Sequence, residues 1–97
     1  MSENIIRKTF HFRGAVQGVG FRYRACYAAR EAGVTGWVRN EYDGSVRMEI
    51  QGTEEQIDRV IQAIERGKYI SIRQLRSMKI PVKEGEREFS IRDDIWI

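Results

Sequence analysis

Along this chain the spacing of hydrophobic residues switches between a period of two and a period near 3.6, and each switch marks an element. From Ile6 to Arg13, Phe10 and Phe12 alternate with Thr9, His11 and Arg13 before the run stops at Gly14, the pattern of a half-buried strand. Phe21, Ala25, Ala28, Ala29 and Ala32 then fall on one face of a helix that Gly33 is placed to end. Thr35 to Asn40 and Ser45 to Gln51 predict two strands, the second alternating Val46, Met48 and Ile50. The connecting Glu41-Tyr42-Asp43-Gly44 carries the Asp-Gly signal of a hairpin. Thr53 and Gln56 predict a capping box, and Ile57, Val60, Ile61 and Ile64 an amphipathic helix ending at Gly67. Ile70 to Val82 resembles a strand in its later part, and Phe89-Ser90-Ile91-Arg92 adds a short last one.

The order strand, helix, strand, strand, helix, strand predicts an α+β, ferredoxin-like (split βαβ) sandwich. Two helices would pack on one face of an antiparallel sheet of four to five strands. With 97 residues, no internal repeat and no linker, one domain over 1–97 is expected. Seventeen Lys and Arg against fourteen Asp and Glu give a net charge of +3, which suits an anionic small molecule or nucleic acid and decides for neither. The single Cys26 excludes an intrachain disulfide and fits a reducing compartment. No N-terminal apolar segment and no run of membrane-spanning length is present, so a cytoplasmic protein without a membrane partner is expected.

The chemistry concentrates in Gly14-Ala15-Val16-Gln17-Gly18-Val19-Gly20-Phe21-Arg22, followed by Gly36-Trp37-Val38-Arg39-Asn40. Glycines at 14, 18 and 20 let the backbone take positive φ, so successive N–H groups can converge on one anion. The loop runs into a helix whose dipole favours a phosphate at its start. Arg22 adds a permanent charge with a planar fork that fits two phosphate oxygens.

Val16-Gln17-Gly18-Val19-Gly20-Phe21-Arg22, Gly36-Trp37-Val38-Arg39-Asn40, Asp43-Gly44-Ser45-Val46, Gln51-Gly52 and Phe89-Ser90-Ile91-Arg92 together resemble the acylphosphatases over most of the chain. The resemblance implies the ferredoxin-like fold and hydrolysis of the carboxyl-phosphate anhydride of small acyl phosphates, with no metal and no cofactor. It also implies that Arg22 binds substrate, that Asn40 is catalytic, and that the backbone of Gln17, Gly18, Val19, Gly20 and Phe21 forms the phosphate loop. Such a substrate already has a good leaving group, so the protein need only hold the phosphoryl group and place a water in line. Asn40 can accept a hydrogen bond from that water while its amide donates to a neighbour. Three positions depart from the family. Ala15 stands where a basic residue is frequent. Glu41 follows Asn40 where a small or hydroxylated residue is common, and would either repel substrate or point into solvent. Gly67 to Ile72 lacks the usual proline.

Other residues invite chemistry and read more simply as structure. His11 alternates with Thr9 and Arg13 and is expected on a sheet face or edge; Trp37 is expected to pack and Cys26 to act as a small buried hydrophobe. The lone Cys and lone His cannot assemble a usual zinc site. Ile95-Trp96-Ile97 either folds back on the sheet or marks a self-association patch. Two rival functions share these features: a module that binds acyl phosphate without turnover, and a nucleic-acid binder of the RNA-recognition type. The latter would use exposed aromatics on central strands. Phe10 and Phe12 share a face, but the third strand offers Val46, Met48 and Ile50 instead. A monomeric enzyme that binds no nucleic acid is the expectation.

Overall fold

The computed structural model describes residues 4–92. Each predicted element forms: β1 (Ile6–Ala15), α1 (Phe21–Ala32), β2 (Thr35–Asn40), β3 (Val46–Gly52), α2 (Glu54–Glu65), β4 (Ser71–Ile80) and β5 (Phe89–Arg92). Ile95-Trp96-Ile97 lies outside the described residues. The strands make one sheet in the order β4-β1-β3-β2-β5. Both helices cover one face, as a ferredoxin-like sandwich requires. Phe10, Phe12, Val38, Val46, Met48 and Ile50 meet Phe21, Ala25, Ala29, Ile57, Val60 and Ile64 there, all buried. The two phenylalanines of β1 are therefore core residues beneath the helices, and no platform for stacked bases. Cys26 is buried beside them, its Sγ 3.8 Å from the Phe89 carbonyl oxygen.

One feature departs from an all-antiparallel sheet: β5 pairs with β2 in parallel, from Gly36 opposite Phe89 to Arg39 opposite Arg92. Topology explains the direction. β4 ends beside Arg7 of β1, at the same end of the sheet where β5 begins beside Gly36. The chain crosses from one edge to the other and turns back, so β5 opposes β4 and thereby runs with β2. The result is a mixed sheet of five strands.

The crossing segment, residues 81–88, passes over the helix-free face and is tied down by an arginine that periodicity alone does not single out. Arg7 is only 2% exposed on that face. Its guanidinium donates to Glu49 at 3.0 Å, to Gln51 at 3.1 Å and to both carboxylate oxygens of Glu86 at 2.7 and 3.2 Å. A buried guanidinium needs this many acceptors to offset its lost hydration. Gln51 completes the strap by accepting from the Lys83 N–H and donating to the Lys83 carbonyl, at 2.8 and 3.0 Å.

Burial alone would raise the Glu86 carboxyl, but hydrogen bonds from Arg7 and Thr35 outweigh it and hold the group below the usual range. A depressed folded-state value contributes stability above the unfolded value of about 4.3 and loses it as pH falls through the folded one. Glu86→Gln should therefore lower stability near neutrality by about 1–3 kcal/mol, with the difference from the parent shrinking under acid conditions. Urea unfolding of both proteins at neutral and acid pH checks this, and an equal deficit at both would contradict the assignment.

Candidate active site

β1 pairs with β4 through a shift in register between Arg13 and Gly14, a bulge that bends the strand before it leaves the sheet. Val16, fully buried, anchors the start of the turn, and Phe21 anchors its end by packing edge-on against Phe12 with ring centroids 4.8 Å apart. Between these two anchors the backbone is set by Gly18 and Gly20, at φ +72 and +80. A Cβ at either would meet nothing within 4 Å, so the constraint is conformational and leaves open space above the loop.

The two helices begin in opposite ways. α2 starts with a complete capping box, Thr53 with Gln56, and carries Glu54 and Glu55 in its first turn. α1 starts at Gly20 with no side-chain cap and no acidic residue in its first turn. The first intrahelical bond of α1 runs from the Arg24 N–H to the Gly20 carbonyl at 3.0 Å, so the N–H groups of Phe21, Arg22 and Tyr23 precede the hydrogen-bond ladder. Half-buried Arg22 occupies the second helical position. With backbone donors and a helix dipole at the start of α1 and Arg22 in its first turn, the arrangement can hold an anion.

Gln17 ties this loop to the second segment of the sequence motif. Its side-chain amide donates to the carbonyl oxygens of Glu41 at 2.7 Å and Ser45 at 2.8 Å. Those carbonyls flank the turn between β2 and β3, closed by the Glu41 N–H to the Ser45 oxygen at 2.9 Å. Asn40, the last residue of β2, immediately precedes this turn, on the same face of the strand as core residue Val38. Asn40 Oδ1 is buried and has no hydrogen-bond partner among the described residues. A buried amide oxygen without a partner costs about 1–3 kcal/mol, so the position demands a donor from outside the fold.

Glu41 follows neither of its two expected courses. Its carboxylate accepts from Arg39 Nε at 2.9 Å and from Arg47 Nε at 3.4 Å, so its charge is paired on the opposite face from Asn40. The turn itself is locked by Asp43, whose Oδ1 accepts both the N–H of Ser45 at 3.0 Å and its hydroxyl at 2.5 Å. Those two bonds, with Arg13 beside them, bring the Asp43 carboxyl down to about 2. Because the single Ser45 hydroxyl proton goes to Asp43, the 2.8 Å contact with His11 is a donation from Nε2–H to Ser45 Oγ. Burial first, then Arg47 and Arg13, lower the His11 imidazole below its ordinary value. Trp37 packs as expected, nearly buried, with Arg39 and Arg92 over its ring at 5.1 and 4.7 Å.

The sequence motif placed Gln17 in the loop through its backbone; the clamp made by its side chain depends on the distance to a turn more than twenty residues away. The Asp43–Ser45 lock was legible in principle, since Asp-Gly-Ser is an Asx-turn signature.

The acylphosphatase family model matches residues 8–91. The chain is 38% identical to an acylphosphatase of Bifidobacterium longum over 93 residues, which is 94% of this chain and 96% of that one. It is 35% identical to an acylphosphatase of Clostridium beijerinckii over 89 residues, 91% and 99% of the two chains. The crystal structure of acylphosphatase from Bacillus subtilis superposes with a TM-score of 0.82 at 30% identity, covering 90% of this chain and 98% of that one.

Loss of the Gln17 clamp should loosen the loop against the β2–β3 turn. Gln17→Ala is expected to weaken inorganic phosphate binding about tenfold, equal to roughly 1.4 kcal/mol, by calorimetric titration. Gln17→Glu, which removes both donors and sets a carboxylate against two carbonyl oxygens, should lose more. Unchanged affinity in both variants would show that the clamp does not shape the loop.

Proposed function

The chain belongs to the acylphosphatase family, and on that premise we propose that the loop of Gln17, Gly18, Val19, Gly20 and Phe21, with Arg22, holds the phosphoryl group while Asn40 orients the attacking water. The activity is that of an acylphosphatase, a hydrolase of acid anhydrides that converts a small acyl phosphate to carboxylate and phosphate. The observation that carries the site assignment is Asn40 Oδ1, a buried acceptor without a partner among the described residues, next to the turn that Gln17 ties to the loop before the uncapped α1.

In this reading the phosphoryl oxygens take the N–H groups that the start of α1 leaves outside its ladder, and Arg22 offsets their charge. The donors are fixed in advance, so little reorganisation opposes the transition state. Asn40 Oδ1 accepts one hydrogen bond from water and thereby aims a lone pair at phosphorus. The water oxygen bonds to phosphorus, the bond from phosphorus to the acyl oxygen breaks, and the carboxylate leaves with the electron pair. The water's proton passes to a phosphate oxygen. An amide cannot serve as a base, so Asn40 acts through position.

His11 has no part in this scheme. Its ring lies on the helix-free face, with its Nε2–H directed to Ser45. The paired charge of Glu41 supports an active enzyme over a binding module, because the carboxylate next to Asn40 is held by Arg39 and Arg47. Among the described residues no helix is long and apolar enough to cross a membrane. The cytoplasmic location proposed for the chain rests on the unpaired, buried thiol of Cys26.

Hydrolysis of benzoyl phosphate in excess EDTA tests the reading. Asn40→Ala should lower kcat on the order of a hundredfold to a thousandfold while phosphate affinity is kept, whereas Arg22→Ala should impair both. Equal loss of affinity in the two variants would overturn the division of roles. Turnover between about pH 5 and 8 should show no inflection that disappears in His11→Ala, because the imidazole holds no transferable proton at the reaction.

A further inference from the structure

The register of the sheet lines up five side chains that no step of the hydrolysis uses. Arg76 of β4 lies opposite His11 of β1, His11 opposite Arg47 of β3, Arg47 opposite Arg39 of β2, and Arg39 opposite Arg92 of β5. Residues paired in this way point to the same face. That is the helix-free face, because Trp37, two positions before Arg39, and Arg7, four before His11, lie on it. Four arginines and a histidine thus form one row across all five strands, about 19 Å long at about 4.8 Å per strand.

Like charges placed directly opposite each other destabilise a sheet. Among the described residues only Glu41 meets that repulsion within the row, bridging Arg39 and Arg47. Arg92 and Arg39 rest on the Trp37 ring, while no ion pair to Arg76 is formed among the described residues. Four arginines against one carboxylate leave an excess equal to the net charge of the whole chain, +3. A concavity of about 390 Å³ adjoins one end of the row, lined by Thr9, His11, Arg47, Arg76, Ser77 and Met78.

We propose that this row is a second anion site, separate from the α1 loop, that binds a chain of linked phosphoryl groups such as an oligophosphate or the polyphosphate of a nucleotide. Arginine forks at successive strand positions suit successive phosphoryl groups, since each can bind two oxygens of one group. The face favours phosphate over stacked bases, because the Trp37 ring on it is nearly buried under two guanidinium groups and unavailable to a base. His11 is second in the row, between Arg76 and Arg47 and near Arg13, Asp43 and Glu41, so its imidazole reports the arrival of an anion.

The test titrates tripolyphosphate, ATP and a single-stranded oligonucleotide into the full chain, with inorganic phosphate at a concentration that saturates the α1 loop. Binding of tripolyphosphate should persist under these conditions, move the His11 ring resonances and raise their titration midpoint. Arg76→Gln combined with Arg92→Gln should weaken it at least about tenfold and flatten its dependence on salt, while acyl phosphate turnover is retained. Equal binding of ATP and tripolyphosphate identifies a bare phosphate chain as sufficient; tighter binding of ATP adds the concavity as a nucleoside subsite, and both support the proposal. Competition by inorganic phosphate, a silent His11, or undiminished binding by the double variant would overturn it. So would an oligonucleotide that binds more tightly than either, which would make the face a nucleic-acid surface.

Discussion

Two carbonyl oxygens at the β2–β3 turn, those of Glu41 and Ser45, both accept from the Gln17 amide, and this pair of bonds sets where the loop before α1 stands relative to Asn40. The loop comes from the end of β1 and Asn40 from the end of β2, strands separated in the sheet by β3. Without a tie between them, the loop would be located only by its two ends, Val16 in the core and Phe21 against Phe12. A neutral amide is suited to the task because it supplies two donors and brings no charge to a place meant for an anion. The turn that receives it is stiffened in its own right by Asp43 on Ser45.

The contrast between the helix starts has the same logic. A fold selected only for stability would cap both helices, since a missing cap forgoes roughly 1 kcal/mol. α2 has its full complement, while α1 begins at a glycine with no side-chain cap and a basic first turn. The Asn40 oxygen, without a partner among the described residues, is a second stability cost, beside the turn that Gln17 ties to the same loop. Two local rules are broken close together while the surrounding core obeys them, which is the usual signature of a site.

Most of the fold was legible because its signals are local. Phe10 and Phe12, the alanine face of α1, the Asp43-Gly44 turn and the Thr53 box each specify an element within a few residues. The roles proposed for Arg22 and Asn40 rest on a motif resemblance. What escaped were interactions between distant segments. Nothing in the period of Phe89 to Arg92 says that its neighbour is β2 or that the pairing is parallel, because that follows from a crossing segment held by Arg7 and Glu86. The role of Glu41 escaped likewise, since its partners Arg39 and Arg47 face each other only through the register of the sheet.

The strand order also bears on how the chain is made. Of the described strands β1 is made first yet ends up between β3 and β4, and among them only β2 and β3 pair as sequence neighbours. The hairpin of β2 and β3 can close early by itself, yet β1 gains its second neighbour only when residues 71–80 are available. During synthesis the Phe10 and Phe12 strand therefore waits with one edge open until β4 has emerged. Such a sheet, dominated by long-range pairings, trades rapid folding for a framework in which early and late segments are fastened together.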